Sequence, residues 1–260
     1  MPSLLLAADY PTEPMRDATP DLGDPQRLRA LADLDGYLYL PARLPAQAIE
    51  PVRALVRHRA EQLGWVLPEP GNPTVWQARP GARLTGRGWD DPRWIELQRE
   101  VSSHKAFQSL VQHPEIMDVL QILYGEPAAL AVSNHCWIKL PGSPEHTTRP
   151  HRDAFYLPTC PRLWTAWLPL TQTPAEVGPL GVVAGSHTSG LWPQTDPMLG
   201  IEVPHHVTWS TGPFEPGDIV LFGAETIHCA WANMSPSVVR VSLDVRFEPR
   251  ATPGSILRPV

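Results

Sequence analysis

Cysteine is scarce in this chain of 260 residues: Cys136, Cys160 and Cys229 are odd in number, far apart and free of any CxxC spacing. That pattern excludes a disulfide framework and a structural zinc knuckle, and it fits buried thiols in a reducing compartment. Basic clusters are missing as well. Lys and Arg number 21 against 27 Asp and Glu, a formal net charge of -6, so nothing marks an electrostatic footprint for nucleic acid or an anionic membrane. Long apolar runs are absent too. The opening MPSLLLAADYP carries too short an apolar stretch, and no basic start, for a signal-peptide core, and no window approaches a membrane span. The expectation is a cytoplasmic protein without nucleic-acid or membrane partners. No fixed-period repeat is visible.

Proline, by contrast, is abundant, at 32 residues against a usual share of about 5%. The prolines are scattered among apolar runs, as in the rigid loops and strand ends of a loop-rich β protein. Residues 1–24, rich in Pro and Asp, read as a loosely ordered N-terminal arm. Asp24-Pro25 opens a helix through Leu34, GYLYL (36–40) reads as a strand, and Ala46 to Leu63 repeats apolar residues at helical spacing. The stretch 67–92 reads as a long loop of the kind that covers a site. Helices are expected from Ser103 to Gln112 and from His113-Pro114 to Gly125. Strands follow at 128–140, 151–157, 162–170, 180–183, 206–209, 218–222, 227–231 and 237–248. Helices first and strands after, without βαβ alternation, predict one domain over 1–260. It is mainly β, an antiparallel sandwich or barrel spanning about 128–249 and buttressed by N-terminal helices.

The chemistry gathers in RPHRDAFYL, where His151 and Asp153 stand two apart. On a strand this spacing points both side chains one way and Arg152 the other. An imidazole beside a carboxylate is a chelating edge for a divalent metal, although an HxD pair alone is weak. A third candidate, His228, lies in FEPGDIVLFGAETIHCAWAN, just after the apolar run Ile219 to Phe222. Two histidines and one carboxylate leave half of a metal's coordination sphere open, as iron(II) oxygenases require, whereas a closed zinc site wants a fourth ligand that is not evident.

In SVVRVSLDVRFEP one face carries Arg240, Ser242, Asp244 and Arg246, and the other Val239, Val241, Leu243, Val245 and Phe247. If the apolar face packs on the helices, the polar face turns into the barrel. A buried arginine needs an anionic partner. Asp244 can serve Arg246; Arg240 is left without a local partner, and a dicarboxylate would supply one by bidentate hydrogen bonding. Ser242 can add a hydroxyl.

These pieces in this order, DGYLYLP (35–41), KLPG (139–142), HRD (151–153), TAWLPL (165–170), GPLGVVAGSH (178–187), PGDIVLF (216–222), His228 and RVSLDVR (240–246), resemble the phytanoyl-CoA dioxygenase family of iron(II)/2-oxoglutarate oxygenases. The resemblance runs from about Asp35 to Pro249. It implies a double-stranded β-helix (a cupin-like jelly roll) with His151, Asp153 and His228 as metal ligands. It also implies that Arg240 grips the distal carboxylate of 2-oxoglutarate and that Trp167 lies beside the cosubstrate. Gly178, Pro179 and His187 read as structural. Two departures stand out: the interval from His228 to Arg240 is one residue longer than usual, an insertion at Ser235-Pro236, and position 230 is Ala where some members have a hydroxyl.

The implied reaction uses Fe(II), 2-oxoglutarate and O2 to hydroxylate a small molecule, releasing succinate and carbon dioxide. Desaturation or ring formation are the variants of that outcome. Substrate contacts are expected from the 67–92 and 141–149 loops and from Asn134. Two other readings stay open at this point: a cupin-like metal enzyme that ignores 2-oxoglutarate and uses His205 or His206, and a metal-binding sensor module without turnover.

Overall fold

The computed structural model describes residues 7–68, 71–86, 90–132, 134–143, 147–190, 192–194 and 200–254. Of the segment read as an arm, β1 (Thr12–Pro14) pairs in parallel with a later strand, and Met15 and Ala18 are buried. Helix α1 (Pro25–Asp35) begins where the sequence predicts. The Asp24 side chain accepts from the amides of Gln26 and Arg27, proline follows at the first position, and Gly36 at φ 76° ends the helix. Strand β2 (Tyr37–Leu40) leads into α2 (Ala46–Gln62), which buries Ile49, Val52, Val56 and Ala60 along one face.

The 67–92 stretch carries only a two-residue strand, β3 (Trp76–Gln77), among its described residues. Helix α3 (Pro92–Ser103) follows, where the sequence predicts no helix. Asp91 caps it, and Trp94, Leu97 and Val101 form its buried stripe. The Pro- and Trp-dense approach obscured a stripe only three residues long. His104 separates α3 from α4 (Lys105–Val111), and α5 (Pro114–Tyr124) starts at a His113 cap and stops at Gly125.

The predicted strand over 128–140 is two strands, β4 (Ala128–Leu130) and β5 (His135–Lys139). The one predicted over 151–157 is β6 (Thr148–His151) followed by a single helical turn, α6 (Asp153–Tyr156). Then come β7 (Trp164–Pro169), β8 (Leu180–Val182), the turn α7 (Ser186–Ser189), β9 (Trp209–Thr211), β10 (Ile219–Gly223), β11 (His228–Ala230) and β12 (Val238–Pro249).

Two sheets result, a jelly-roll pair. The smaller runs β1-β9-β8-β11-β6; the larger runs β2-β10-β7-β12-β3, with β4 and β5 also paired to β12. Alternation along β12 decides the layering. Val239, Val241, Leu243, Val245 and Phe247 are all 0–1% exposed and join Val52, Val56, Leu97 and Leu120 of the helices in one core. Each stabilises the fold by about 1.5–3 kcal/mol. The opposite face, with Arg240, Ser242 and Arg246 buried, turns between the sheets. Beside it sits a second apolar cluster of Trp167, Leu180, Val182, Phe214, Val220 and Phe222. The double-stranded β-helix is thus a barrel with a polar stripe inside it.

Candidate metal centre

His151 ends β6 and His228 opens β11, and the two are register partners across the antiparallel pair. Their ring centroids lie 4.1 Å apart. Asp153 reaches the same point from the first position of α6, not from a strand as predicted. The chain leaves β6 after His151, and the Ala154 amide bonds to the carbonyl of Ala224. One donor atom from each of His151, Asp153 and His228 fits within 4.8 Å of the others. This trio is the one such cluster among the described residues. His205 and His206 join none; His205 stacks on Tyr10 instead.

Each histidine is oriented from behind. Nδ1 of His151 donates to the Arg149 carbonyl at 2.7 Å, and Nδ1 of His228 donates to the Thr226 carbonyl at 3.0 Å. Both Nε2 lone pairs are therefore left for a metal. Burial lowers the pKa of both imidazoles, that of His228 to about 3, so both rings are neutral near pH 7. Burial works against charge on Asp153, but the Arg246 guanidinium and the two imidazoles outweigh it and hold the carboxyl well below the usual range. Two neutral imidazoles and one ionised carboxylate are a fitting donor set for iron(II).

Asp153 is where the two sheets meet. Its Oδ2 accepts from Thr165 Oγ1 of β7 at 2.6 Å and from Arg246 Nε of β12 at 3.2 Å, while Oδ1 accepts from Arg246 Nη2 at 2.9 Å. This corrects the expectation that Asp244 neutralises Arg246. The partner stands 93 positions away in the chain, and Asp244 Oδ2 instead accepts from Trp137 Nε1. Asp244 Oδ1 has no hydrogen-bond partner among the described residues, and burial raises the carboxyl to about 6.

Arg240 lies deeper on the same face and is 1% exposed. Nη1 donates to the Gly178 carbonyl at 3.0 Å and Nη2 to Ser242 Oγ at 3.2 Å, while Nε has no hydrogen-bond partner among the described residues. Its guanidinium carbon stands 5.9 Å from the Trp167 ring centroid. Burial pushes its pKa down to about 10. Asp244 offsets its charge electrostatically without a hydrogen bond to it, and a buried cation with an orphaned N–H and no carboxylate bonded to it among the described residues fits an anion entering from the barrel interior. The fold thus places Ser242 and the Trp167 ring beside the Arg240 guanidinium.

Asn134 is placed differently from its expected role. Its amide nitrogen donates to the Ala131 carbonyl and its oxygen accepts from the Arg246 amide, so it braces the strand that carries Arg246. Of the two loops expected to meet substrate, residues 69–70, 87–89 and 144–146 lie outside the described residues. Near the site the described residues include several aromatic rings. Tyr156 packs edge-on against His151 at 5.7 Å, and Phe155 and Tyr156 are exposed. His135 and Trp137 stack with Trp94, and His135 Nδ1 accepts from Arg246 Nη1. Thr165 and His135 sit in strands legible from sequence, yet only the closed barrel brings them beside Asp153 and Arg246.

Known proteins align with this arrangement. The phytanoyl-CoA dioxygenase (PhyH) family profile matches residues 32–242. The 1-deoxypentalenic acid 11-beta-hydroxylase of Streptomyces arenae is 29% identical over 259 residues, covering 91% of this chain and 85% of that protein; its counterpart in Streptomyces exfoliatus is also 29% identical, over 256 residues. Among solved structures, the epimerase SnoN in complex with Fe3+, alpha ketoglutarate and nogalamycin RO superposes with a TM-score of 0.61 at 21% identity, covering 87% of this chain and 84% of that one. EctD from S. alaskensis, with 2-oxoglutarate and 5-hydroxyectoine, gives 0.61 at 17% identity, covering 96% and 82%. With the profile spanning most of the sequence, the chain belongs to the phytanoyl-CoA dioxygenase family.

Proposed function

We propose that this protein is an iron(II)- and 2-oxoglutarate-dependent oxygenase that hydroxylates a small molecule. The observation that carries this reading is a two-histidine, one-carboxylate cluster sharing a barrel interior with a buried guanidinium that is hydrogen-bonded to no carboxylate among the described residues, although Asp244 acts on it electrostatically. His151, Asp153 and His228 would hold the metal, and Arg240 with Ser242 the distal carboxylate of the cosubstrate. Iron(II), 2-oxoglutarate and dioxygen together supply an oxidant able to remove hydrogen from an unactivated C–H bond, with succinate and carbon dioxide as co-products.

The protein's own residues do the rest. The Arg149 and Thr226 carbonyls fix the two rings in the tautomer that presents Nε2. Trp167, Phe214 and Phe222 form an apolar wall inside the barrel, where water is excluded and charge-assisted bonds are strong. Phe155, Tyr156, His135 and Trp137 offer flat apolar faces to an entering substrate. Curated relatives named as hydroxylases of a small acid support hydroxylation of a small metabolite. Asp153 completes the protein's share of the ligand set, so the expected product gains oxygen and not halide.

No helix of the described residues is long and apolar enough to cross a membrane. The three cysteines are free and buried, which supports the cytoplasm as the compartment. The test is succinate release across a panel of small metabolites, followed by the mass of the product. A gain of one oxygen in the presence of excess chloride supports the reading; a chlorinated product, or turnover without 2-oxoglutarate, counts against it.

A further inference from the structure

Asp153 is gripped more firmly than a lone metal ligand needs. Oδ2 accepts from both Thr165 Oγ1 and Arg246 Nε, at 2.6 and 3.2 Å, while Oδ1 accepts from Arg246 Nη2 alone among the described residues, at 2.9 Å. Oδ1 is also the oxygen that stands 3.9 Å from His151 Nε2. All three side chains are buried: Asp153 is 1% exposed, Thr165 0% and Arg246 8%. The donors come from different strands, Thr165 from β7 and Arg246 from β12, so the carboxylate plane is fixed from two directions. The Arg246 backbone is itself braced by Asn134, and Nη1 bonds to His135.

Resting on the metal-site reading, we infer that Arg246 and Thr165 are positioning residues that restrict Asp153 to ligation through one oxygen, Oδ1. A carboxylate free to rotate can chelate a metal through both oxygens and take a position that the chelating 2-oxo acid or dioxygen needs. Here the second oxygen is already bonded twice within the protein. The clamp holds that position open by keeping the carboxylate from spreading over the metal. Arg246 therefore has a different task from Arg240, six residues earlier on the same face.

The test uses Thr165→Val, which removes one hydroxyl at nearly constant shape, and Arg246→Met, which removes every N–H but keeps an apolar stem. Thr165→Ser restores the hydroxyl. Cobalt(II) is titrated anaerobically into each protein, and 2-oxoglutarate is then titrated into the iron(II) form, followed by the visible absorption of the chelate. Circular dichroism and the unfolding midpoint report the fold. Loss of an outer hydrogen bond to a metal ligand typically weakens metal binding about 10–100-fold. Thr165→Val is expected at the low end with a parallel rise in the 2-oxoglutarate dissociation constant, Arg246→Met at the high end, and Thr165→Ser close to wild type. Should Arg246→Met fail to fold, Thr165→Val against Thr165→Ser decides. Wild-type affinities for both cobalt and 2-oxoglutarate in Thr165→Val would overturn the clamp while leaving the metal site intact. A wild-type protein that takes up no cobalt would remove the metal site itself, and the clamp with it.

Discussion

His151 and His228 are register partners: the last residue of β6 lies directly across from the first residue of β11. The pairing of two strands in the smaller sheet therefore sets the spacing of two ligands, and only Asp153 must be brought in separately. Replacing either histidine with alanine should abolish stoichiometric iron while the barrel persists, because the ladder between β6 and β11 is made by backbone groups. Metal analysis after anaerobic reconstitution, with circular dichroism alongside, checks this. Full iron occupancy in either variant would rule out the trio as the metal site.

Arg240→Ala should raise the 2-oxoglutarate KM by about two orders of magnitude, the equivalent of losing about 3 kcal/mol of charge-assisted hydrogen bonding. Iron binding should be unaffected, since Arg240 touches none of the three ligands. Equal losses of metal and cosubstrate would place Arg240 in a structural role. Steady-state kinetics beside metal titration separates the two.

Gly178 ties the Arg240 pocket to the loop after β11. It sits at φ +76°, its carbonyl accepts from Arg240 Nη1, and a Cβ there would run into the carbonyls of Trp231 and Ala232. Gly178→Ala should cost about 2 kcal/mol of stability from the left-handed backbone alone and weaken 2-oxoglutarate binding by displacing that carbonyl. Denaturant unfolding and a cosubstrate titration read the two effects. A variant as stable as wild type would show that the loop relaxes freely.

Asp91 offers a pH signature away from the metal site. It is fully buried, caps α3 and accepts from the amides of Thr85 and Arg93 and from the Arg93 guanidinium. Burial raises its pKa, but the bonds from Arg93 and Thr85 prevail and hold it well below 3.8. A carboxyl depressed in the folded state stabilises above its unfolded pKa, and that contribution fades as pH falls below it. Asp91→Ala should cost about 1–2 kcal/mol at pH 7, and the gap from wild type should narrow steadily below about pH 4. A gap that stays constant from pH 7 to pH 3 would show that the charge is irrelevant.

What could be read without coordinates was local. Asp24-Pro25 and Gly36 carry their own start and stop signals, and the alternation along Val238–Pro249 separates core from interior by itself. Arg240 stands out in the sequence as a strand arginine on the polar face, but the reason for singling it out is weaker in the fold, because Asp244 is not bonded to Arg246 and acts electrostatically on Arg240 as well. Long-range pairing was not legible. Arg246 has an acidic neighbour at Asp244, and only the fold shows that Asp153, across the barrel, takes its place. Asp153 itself was misassigned to a strand because the HxD spacing suits a strand equally well, whereas the chain turns helical straight after His151. Residues such as Thr165, which act on a ligand and not on the metal, carry no spacing signal at all.

The most direct test of the account is anaerobic addition of 2-oxoglutarate to the iron(II)-loaded protein, followed by visible absorption. Chelation of a 2-oxo acid to iron(II) gives a charge-transfer band. The band should saturate at one 2-oxoglutarate per chain in the wild type, be lost in His228→Ala, and need about a hundredfold more 2-oxoglutarate in Arg240→Ala. No band in the wild type, or the same titration curve in all three proteins, would contradict it.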